Sequence, residues 1–140
     1  MLKIEDKYIG KSSLELSKIV QKIYTEKFQG KCVLNKSAKV YIYFNAIGKS
    51  KTAFGGKRKE HQMSSFKASA IEYLDKLIEN ADYIGTANPK EKHIKKYKAL
   101  GFLIFKAKCE INSKIYTFKI CAMIREGGKI HYSINEDYEI

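Results

Sequence analysis

A chain of 140 residues, 44% hydrophobic and 12% aromatic, has enough apolar side chains to bury one core, so we expect a single domain spanning residues 1–140. Its net charge of +12 indicates a polyanionic partner, most commonly nucleic acid, although a lysine-rich solvated surface would also account for it. Three widely spaced cysteines exclude a disulfide framework or a CxxC zinc site, and no apolar run approaches the roughly 18 residues of a membrane span.

The N-terminal residues carry no apolar signal-peptide core. We therefore expect a protein without a membrane partner that acts in the cytoplasm, either of its own cell or of a target cell to which it is delivered. Its cysteines are expected to be buried thiols in that reducing compartment.

The first predicted helix runs from Ser12 to Phe28, where apolar residues recur at spacings of three and four. Ser12 and Glu15 have the spacing of a capping box at its start. Gly30 lies just after the predicted end, where a residue in the left-handed conformation commonly terminates a helix.

A strand, a loop, a helix and a turn are predicted next. Lys39–Phe44 alternates β-branched and aromatic residues and predicts a strand. Asn45–Lys59 is polar, contains glycines and is dense in lysine and arginine, so it predicts a basic loop. Lys67–Ala81 has an apolar stripe at helical spacing. Gly85–Ala99 contains Pro89 and a lysine cluster, which predicts a turn leading into a sheet.

The C-terminal part predicts three antiparallel strands, Leu100–Ile111, Lys114–Arg125 and Lys129–Ile134, joined by short polar turns. The order of helix, strand, helix and three-stranded meander predicts an α+β fold. In this fold the N-terminal helices pack on one face of the antiparallel β-meander and leave the other, basic face open.

The turn between the first two of these strands fixes which side chains share a face. If Asn112 and Ser113 form a two-residue turn, apolar residues occupy one face and lysines the other. The cross-strand pairs on the basic face are then Lys108 with Thr117 and Lys106 with Lys119. Like charges directly opposite each other are costly unless an anion lies beside them.

The second turn is predicted as the three-residue loop Glu126–Gly128. A two-residue loop at Gly127 and Gly128 would place Ile124 beside His131 and mix the two faces. The preferred register places Met123 opposite His131 on the basic face. The predicted open surface comprises Lys106, Lys108, Thr117, Lys119, Arg125, His131 and Ser133.

Metal-independent RNA cleavage needs a base, an acid and cations beside the phosphate, and histidines among basic residues suit this chemistry. His61, which follows Lys57 and Arg58, is the first catalytic candidate, although an ordinary exposed histidine fits equally well. His131 is a second candidate for the catalytic acid or base. The alternative is a histidine that only fills space on the surface of the sheet. His93 is interpreted as a surface residue that contributes to binding.

No paired carboxylates or Asp/His cluster predicts a magnesium site, so we expect no metal and no cofactor. Cleavage would then proceed by attack of the 2′-hydroxyl and leave a 2′,3′-cyclic phosphate.

Arg125 is the candidate that binds the phosphate, because its guanidinium stays charged and can donate to two phosphate oxygens at once. The alternative is that Arg125 is an ordinary surface charge at the end of a strand. Tyr41, Tyr43 and Tyr97 lie near basic residues and are candidates to stack on bases, although most such residues belong to cores. The predicted nucleic-acid-binding residues are Lys57, Arg58, Lys95, Lys96, Lys106, Lys108 and Lys119.

Several segments resemble the barnase, EndoU, colicin and RelE-like nuclease superfamily, of the type found in phage polyvalent proteins and bacterial polymorphic toxins. They are the strand Lys39–Phe44, the segment GKRKEH before the helix that ends in LIENADYIG, and the stretch from KHIKKYK to KIHYSINED. The similarity covers the chain from about Val40 onward.

The resemblance implies an RNA endonuclease of the toxin type that acts on tRNA or on ribosome-associated mRNA. It implies catalytic roles for His61, Arg125, Tyr132 and Ser133, and an acidic immunity protein or antitoxin that covers the basic face. Since no complete catalytic set of one branch is matched, a non-catalytic RNA- or DNA-binding module of a phage or secretion protein is the alternative. A structural module whose charge is incidental is a third hypothesis.

Overall fold

Seven strands and five α-helices form an α+β fold in the described part of the chain. A computed structural model describes residues 1–54 and 63–136, and of Phe54 the backbone only. The strands are β1 Leu2–Ile4, β2 Cys32–Asn35, β3 Val40–Tyr43, β4 Asp82–Ala87, β5 Gly101–Ile111, β6 Lys114–Arg125 and β7 Gly128–Glu136. The helices are α1 Ser13–Ile23, α2 Ala46–Phe54, α3 Ser65–Ile71, α4 Leu74–Asn80 and α5 Glu91–Tyr97.

All seven strands belong to one mixed sheet with the order β1-β5-β6-β7-β3-β2. The predicted meander β5-β6-β7 is its antiparallel centre. Strand β3 pairs in parallel with β7, and β1 pairs in parallel with β5. Strand β4 pairs antiparallel with β5 along the same edge as β1, because β6 occupies the other edge.

The first helix begins where its sequence predicts, but α1 itself ends at Ile23, before the predicted end at Phe28. The Ser12 hydroxyl accepts a hydrogen bond from the Glu15 backbone N–H at 3.2 Å, which satisfies one of the free amides of the first turn. A π-helical turn, Tyr24–Phe28, continues α1. Gly30 then adopts a φ of +87°, a left-handed conformation that favours glycine.

The main core lies on one side of the sheet, which we call the inner face. Apolar side chains of α1, α3 and α4 are buried there against alternate residues of the central strands. The largest contributions come from Leu16, Val20, Ile71, Leu74, Ile78, Phe105, Phe118, Ile120 and Ile134. Burial of these apolar side chains between the helices and the sheet provides the main driving force for the fold.

A buried polar side chain attaches β2 to α4. The amide nitrogen of Asn35 donates to the carbonyl oxygens of Ile78 and Ala81 at 2.7 and 2.9 Å, so it satisfies acceptors that the helix end leaves free. Strand β2 was not predicted from the sequence.

A smaller apolar cluster lies on the opposite side of the sheet, which we call the outer face. Ala99, Phe102, Met123 and Tyr132 are buried there, and Ile47 of α2 and Tyr97 of α5 pack against the cluster. The outer face is therefore covered at the end where β5 begins.

Several predicted elements differ from the observed ones. Residues 46–54 of the predicted basic loop form α2, whose first turn is capped by Asn45 through Oδ1 contacts to the amides of Ile47 and Gly48. The predicted turn Gly85–Ala99 contains the end of β4 and all of α5. The predicted helix Lys67–Ala81 is divided into α3 and α4. The short helices were missed because α5 buries no residue and α2 carries few large apolar side chains.

The first hairpin is confirmed in its full register. Lys106 lies opposite Lys119 and Lys108 opposite Thr117. Asn112 and Ser113 form the turn with φ angles of +48° and +68°, the positive values that a tight hairpin turn requires.

The second hairpin differs from its predicted register. Arg125 pairs with Gly128, so the turn consists of Glu126 and Gly127 rather than three residues. The register shifts farther along, where Cys121 lies opposite Ser133 but the next residue, Ala122, lies opposite His131. The two-residue turn places His131 opposite Ala122 on the inner face, and Tyr132, at the bulge, packs in the outer cluster.

None of the helices in residues 1–54 and 63–136 has the length and apolar character that crossing a lipid bilayer requires.

Candidate nucleic-acid interface

Lysines occupy the outer face at the end remote from α5. Because Phe105, Ala107, Phe118 and Ile120 point into the main core, the alternate residues of β5 and β6 point outward. These outward residues include Lys106, Lys108, Thr117 and Lys119, with Glu110 and Ile115 next to them toward the hairpin turn. Lys108 and Lys119 are exposed, and Lys106 and Thr117 are half-buried. We call these four residues the basic end.

Aromatic rings gather at the other end of the outer face. The Tyr132 ring centroid lies 5.5 Å from that of His93, 5.2 Å from Phe102 and 6.2 Å from Tyr97. The Lys51 ammonium lies 5.5 Å from the centre of the Tyr132 ring, within the range of a cation–π contact. We call His93, Tyr97, Phe102 and Tyr132 the aromatic cluster.

The surroundings of the His93 imidazole favour its neutral form. Its Nδ1 accepts a hydrogen bond from the backbone N–H of Lys90 at 3.3 Å, which places the ring proton on Nε2. Partial burial lowers the pKa of His93 below its ordinary value, and the charges of Lys92, Lys51 and Lys90 lower it further. His93 therefore presents an uncharged Nε2–H donor among cationic side chains.

Arg125 lies at the turn between β6 and β7, away from the lysines of the basic end. It is six positions along β6 from Lys119, or about 20 Å at the rise of a strand. Beside it is a cavity of about 260 Å³ lined by Tyr43, Asn45, Arg125, Glu126, Gly127, Gly128 and Ile130. We call it the turn cavity. The predicted basic surface is therefore divided, with the aromatic cluster between its two ends.

The predicted position of His131 on the open face is wrong. Its side chain is fully buried on the inner face, where Nδ1 lies 2.8 Å from the Tyr24 hydroxyl. Burial lowers the pKa of His131 to about 3, with a further contribution from the Lys67 charge, so the ring is neutral. A ligand on the outer face does not reach this imidazole, and its catalytic role stays an untested prediction.

Tyr132 and Ser133 are close to one another in sequence but differ in surroundings. Tyr132 is buried in the aromatic cluster, whereas Ser133 is half-buried opposite Cys121, nearer the basic end. Burial raises the pKa of the Cys121 thiol, an effect that the hydrogen bond from Ser133 opposes.

The remaining predicted site residues lie elsewhere. Lys95 and Lys96 are exposed on α5, where Lys95 forms an ion pair with Glu91 at 3.0 Å. His61, Lys57 and Arg58 lie outside the described residues, so their predicted roles stay predictions.

Lys51 and Phe102 are members of the site that the sequence did not single out. No sequence signal places Lys51 over Tyr132, because the contact depends on how α2 packs beside β7. His93 was interpreted as a surface residue that contributes to binding, and its spacing of four from Tyr97 on one helix is the signal that both face the same partner.

Among residues 1–54 and 63–136, no three histidine, cysteine, aspartate or glutamate side chains group as metal ligands would.

Comparison with known families matches residues 11–132 to the family described as large polyvalent protein-associated domain 3. No curated protein matches the chain, and no solved structure matches it.

Proposed function

The chain belongs to the large polyvalent protein-associated domain 3 family, and on this premise we propose that the domain binds single-stranded RNA along the outer face of its sheet. The observation that carries the proposal is the presence of paired lysines and a lysine-flanked aromatic cluster on one face of the same three strands. Phosphates would lie on the lysines and an unstacked base beside the rings.

The basic end supplies the phosphate contacts. Lys106 and Lys119 lie directly opposite each other, so they bring two lysines to one place on the outer face. A phosphate bound there would release condensed counterions from the RNA. Lys108 extends the positive charge along β5.

The half-buried members of the aromatic cluster, His93 and Tyr97, supply the contacts to bases and sugars, whereas Phe102 and Tyr132 are buried. His93 is half-buried and its Nε2–H is a donor, while Lys51 and Lys96 lie over the rings of Tyr132 and Tyr97. Aromatic rings beside cations are the combination that single-strand-binding surfaces use.

Fluorescence anisotropy with a labelled single-stranded RNA at several salt concentrations tests the proposal. For wild-type protein the logarithm of the affinity should fall linearly with the logarithm of the salt concentration, by roughly 0.7 for each phosphate contacted. The double substitution Lys108→Ala and Lys119→Ala should reduce this slope by roughly 1.4. Lys51→Ala should weaken binding while the protein stays folded.

The matched control is the double substitution Lys18→Ala and Lys22→Ala, which removes the same charge from the exposed side of α1. If it weakens RNA binding as much as the outer-face pair does, net charge rather than the outer face is responsible. Tighter binding of DNA of the same sequence would contradict the choice of RNA.

The second candidate function is metal-independent cleavage of the bound RNA. The arrangement of His93, Tyr132 and Lys51 favours it, since the imidazole and the ammonium each lie 5.5 Å from the centre of the Tyr132 ring. The 2′-oxygen would attack phosphorus while its proton passes to a base, and the departing 5′-oxygen would take a proton from an acid. The Nδ1 of His93 is engaged by the Lys90 amide, so His93 serves as the base only when that contact opens.

Incubation of RNA with the purified domain in EDTA tests cleavage apart from binding. The expected products end in a 2′,3′-cyclic phosphate, and His93→Gln should reduce the rate by a factor of about 10²–10⁴. If the RNA stays intact when all of it is bound, cleavage is excluded and RNA binding remains as the function of the domain. An active toxin would in turn require an acidic immunity protein or antitoxin that covers the lysines.

A further inference from the structure

We propose that the turn cavity is a subsite for a single nucleotide unit, with its base stacked on Tyr43 and its phosphate on Arg125. The inference rests on the proposed RNA-binding function and adds to it a site at the end of the outer face opposite the basic end.

The size of the turn cavity suits one nucleotide unit. Its volume is about 260 Å³, below the roughly 300–1,000 Å³ of sites that enclose drug-sized molecules. Its mouth is open to solvent, as a site that accepts one unit of a longer strand requires.

One wall of the cavity is an aromatic ring that is about half exposed to solvent. Tyr43 is 48% exposed, although it lies in a strand and pairs with Ile130. A Cβ on Gly128 would lie 3.7 Å from the Tyr43 ring, so any longer side chain there would lie across it. The glycine therefore leaves the face of the ring free for a base, and stacking of this kind tolerates all four bases.

The polar groups of the cavity are held in place and have hydrogen-bonding capacity to spare. Asn45 Oδ1 accepts from the amides of Ile47 and Gly48 at 3.0 and 3.3 Å, which fixes the carboxamide at the start of α2. Within the described residues, Asn45 Nδ2 and the Arg125 guanidinium make no hydrogen bond or ion pair. The lining residues therefore offer two amide N–H donors and a guanidinium fork that are not engaged elsewhere, and the fork matches a phosphate.

The turn cavity continues the path that RNA would follow over the outer face. Ile130 lies opposite Met123, and Met123 packs with Phe102 and Tyr132 in the outer cluster. A strand that runs from the basic end over the aromatic cluster thus arrives at Tyr43 and Arg125.

The test is an NMR titration of the full chain with adenosine and uridine 5′-monophosphates, followed through the backbone amides of Gly127 and Gly128. Both nucleotides should shift these amides. Tyr43→Ala should weaken the affinity by about tenfold or more, whereas Tyr43→Phe should retain it. Arg125→Ala should weaken the affinity for the monophosphates more than that for the nucleosides.

The matched control is Tyr41→Ala. Tyr41 is 55% exposed on the same face of β3 but does not line the turn cavity, so its removal should leave nucleotide affinity unchanged. Equal losses for Tyr41→Ala and Tyr43→Ala, or shifts confined to amides elsewhere, would overturn the subsite.

The same variants separate this inference from the proposed function. If Tyr43→Ala leaves both mononucleotide and RNA affinity unchanged while Lys108→Ala and Lys119→Ala weaken RNA binding, the subsite is overturned and RNA binding stands. If the protein binds the mononucleotides at Tyr43 but binds no RNA, the path over the outer face is overturned and the cavity is a mononucleotide site. Binding of neither overturns both.

Discussion

His131 is an uncharged imidazole inside the main core, and its titration is linked to folding. Its pKa is about 3 in the folded protein against an ordinary value of about 6.5, because burial disfavours the imidazolium. The unfolded chain therefore binds a proton at this residue that the folded chain does not bind between these pH values. The resulting stability is fully present above pH ~6.5 and is lost as the pH falls toward 3.

We predict that the titration of His131 lowers the free energy of unfolding by about 2 kcal/mol when the pH falls from 7 to 5. The window lies above the pH at which most carboxylates titrate. Urea denaturation across this range should show the dependence in wild-type protein and a reduced dependence in His131→Gln. Identical slopes for the two proteins would show that the imidazolium is tolerated in the core.

Gly48 permits the close approach of α2 to this same imidazole. A Cβ at position 48 would overlap the His131 carbonyl oxygen and lie 2.5 Å from the Tyr24 hydroxyl. Glycine is thus required here by space, despite its poor helix propensity.

We predict that Gly48→Ala lowers the free energy of unfolding by about 1–3 kcal/mol, because overpacking displaces α2 from β7. Gly101→Ala is the matched control, since a Cβ there would meet its nearest neighbours at 3.5 and 3.6 Å, ordinary contact distances. Thermal denaturation of both variants measures the difference. Equal stability of the two would contradict the steric explanation.

Among the elements, the β5–β6 hairpin carries backbone strain at Ser113, the second residue of its turn. Asn112 adopts a φ of +48° and Ser113 a φ of +68°, and of the two residue types asparagine tolerates this region better. Asn112 also accepts a hydrogen bond from the Asp6 amide through Oδ1 at 3.0 Å, which ties the turn to the residues that follow β1.

We therefore predict that Ser113→Gly raises the free energy of unfolding by about 0.5–1 kcal/mol, since glycine adopts this conformation without steric cost. Asn112→Gly should be neutral or destabilising, because it removes the contact with Asp6. Denaturant titration of the two single variants distinguishes them. A stabilising Asn112→Gly would contradict the role of the side chain.

The β6–β7 hairpin has the largest consequence of any element for the site. Its two-residue turn brings His131 opposite Ala122, and the bulge beyond it places Ser133 opposite Cys121. In consequence the imidazole enters the main core and Tyr132 joins the aromatic cluster. A turn one residue shorter than predicted thus removed His131 from the outer face.

At the scale of the whole molecule, charge lies at both ends of the outer face with aromatic rings between. Lys119 and Arg125 are about 20 Å apart along β6, too far to contact one phosphate. A single RNA that contacts both must cross the aromatic cluster.

We predict that Lys119→Ala and Arg125→Ala each reduce the salt slope of RNA binding by roughly 0.7, and that the double variant loses roughly 1.4. Additivity is expected because the sites are distant but share one RNA. Anisotropy titrations at several salt concentrations measure the slopes, and the stoichiometry should stay one RNA for each protein. Two RNA molecules bound independently would contradict a continuous path.

The sequence by itself determined the features that depend on neighbouring residues. The Ser12 cap, the apolar stripe of α1 and the register of the first hairpin are local, since each depends on side-chain periodicity or on turn residues a few positions apart. The placement of Lys106, Lys108, Thr117 and Lys119 on one face follows from the alternation of side chains in a strand.

Only the tertiary structure decided the features that depend on residues distant in the chain. The pairing of β1 and β4 with β5, the packing of α2 and α5, and the contact of Lys51 with Tyr132 join segments with no shared periodic signal. The burial of His131 depends on the two-residue turn between β6 and β7, on Tyr24 and on Gly48 together. Local patterns cannot reveal such positions, because the free energy that selects them comes from packing between elements.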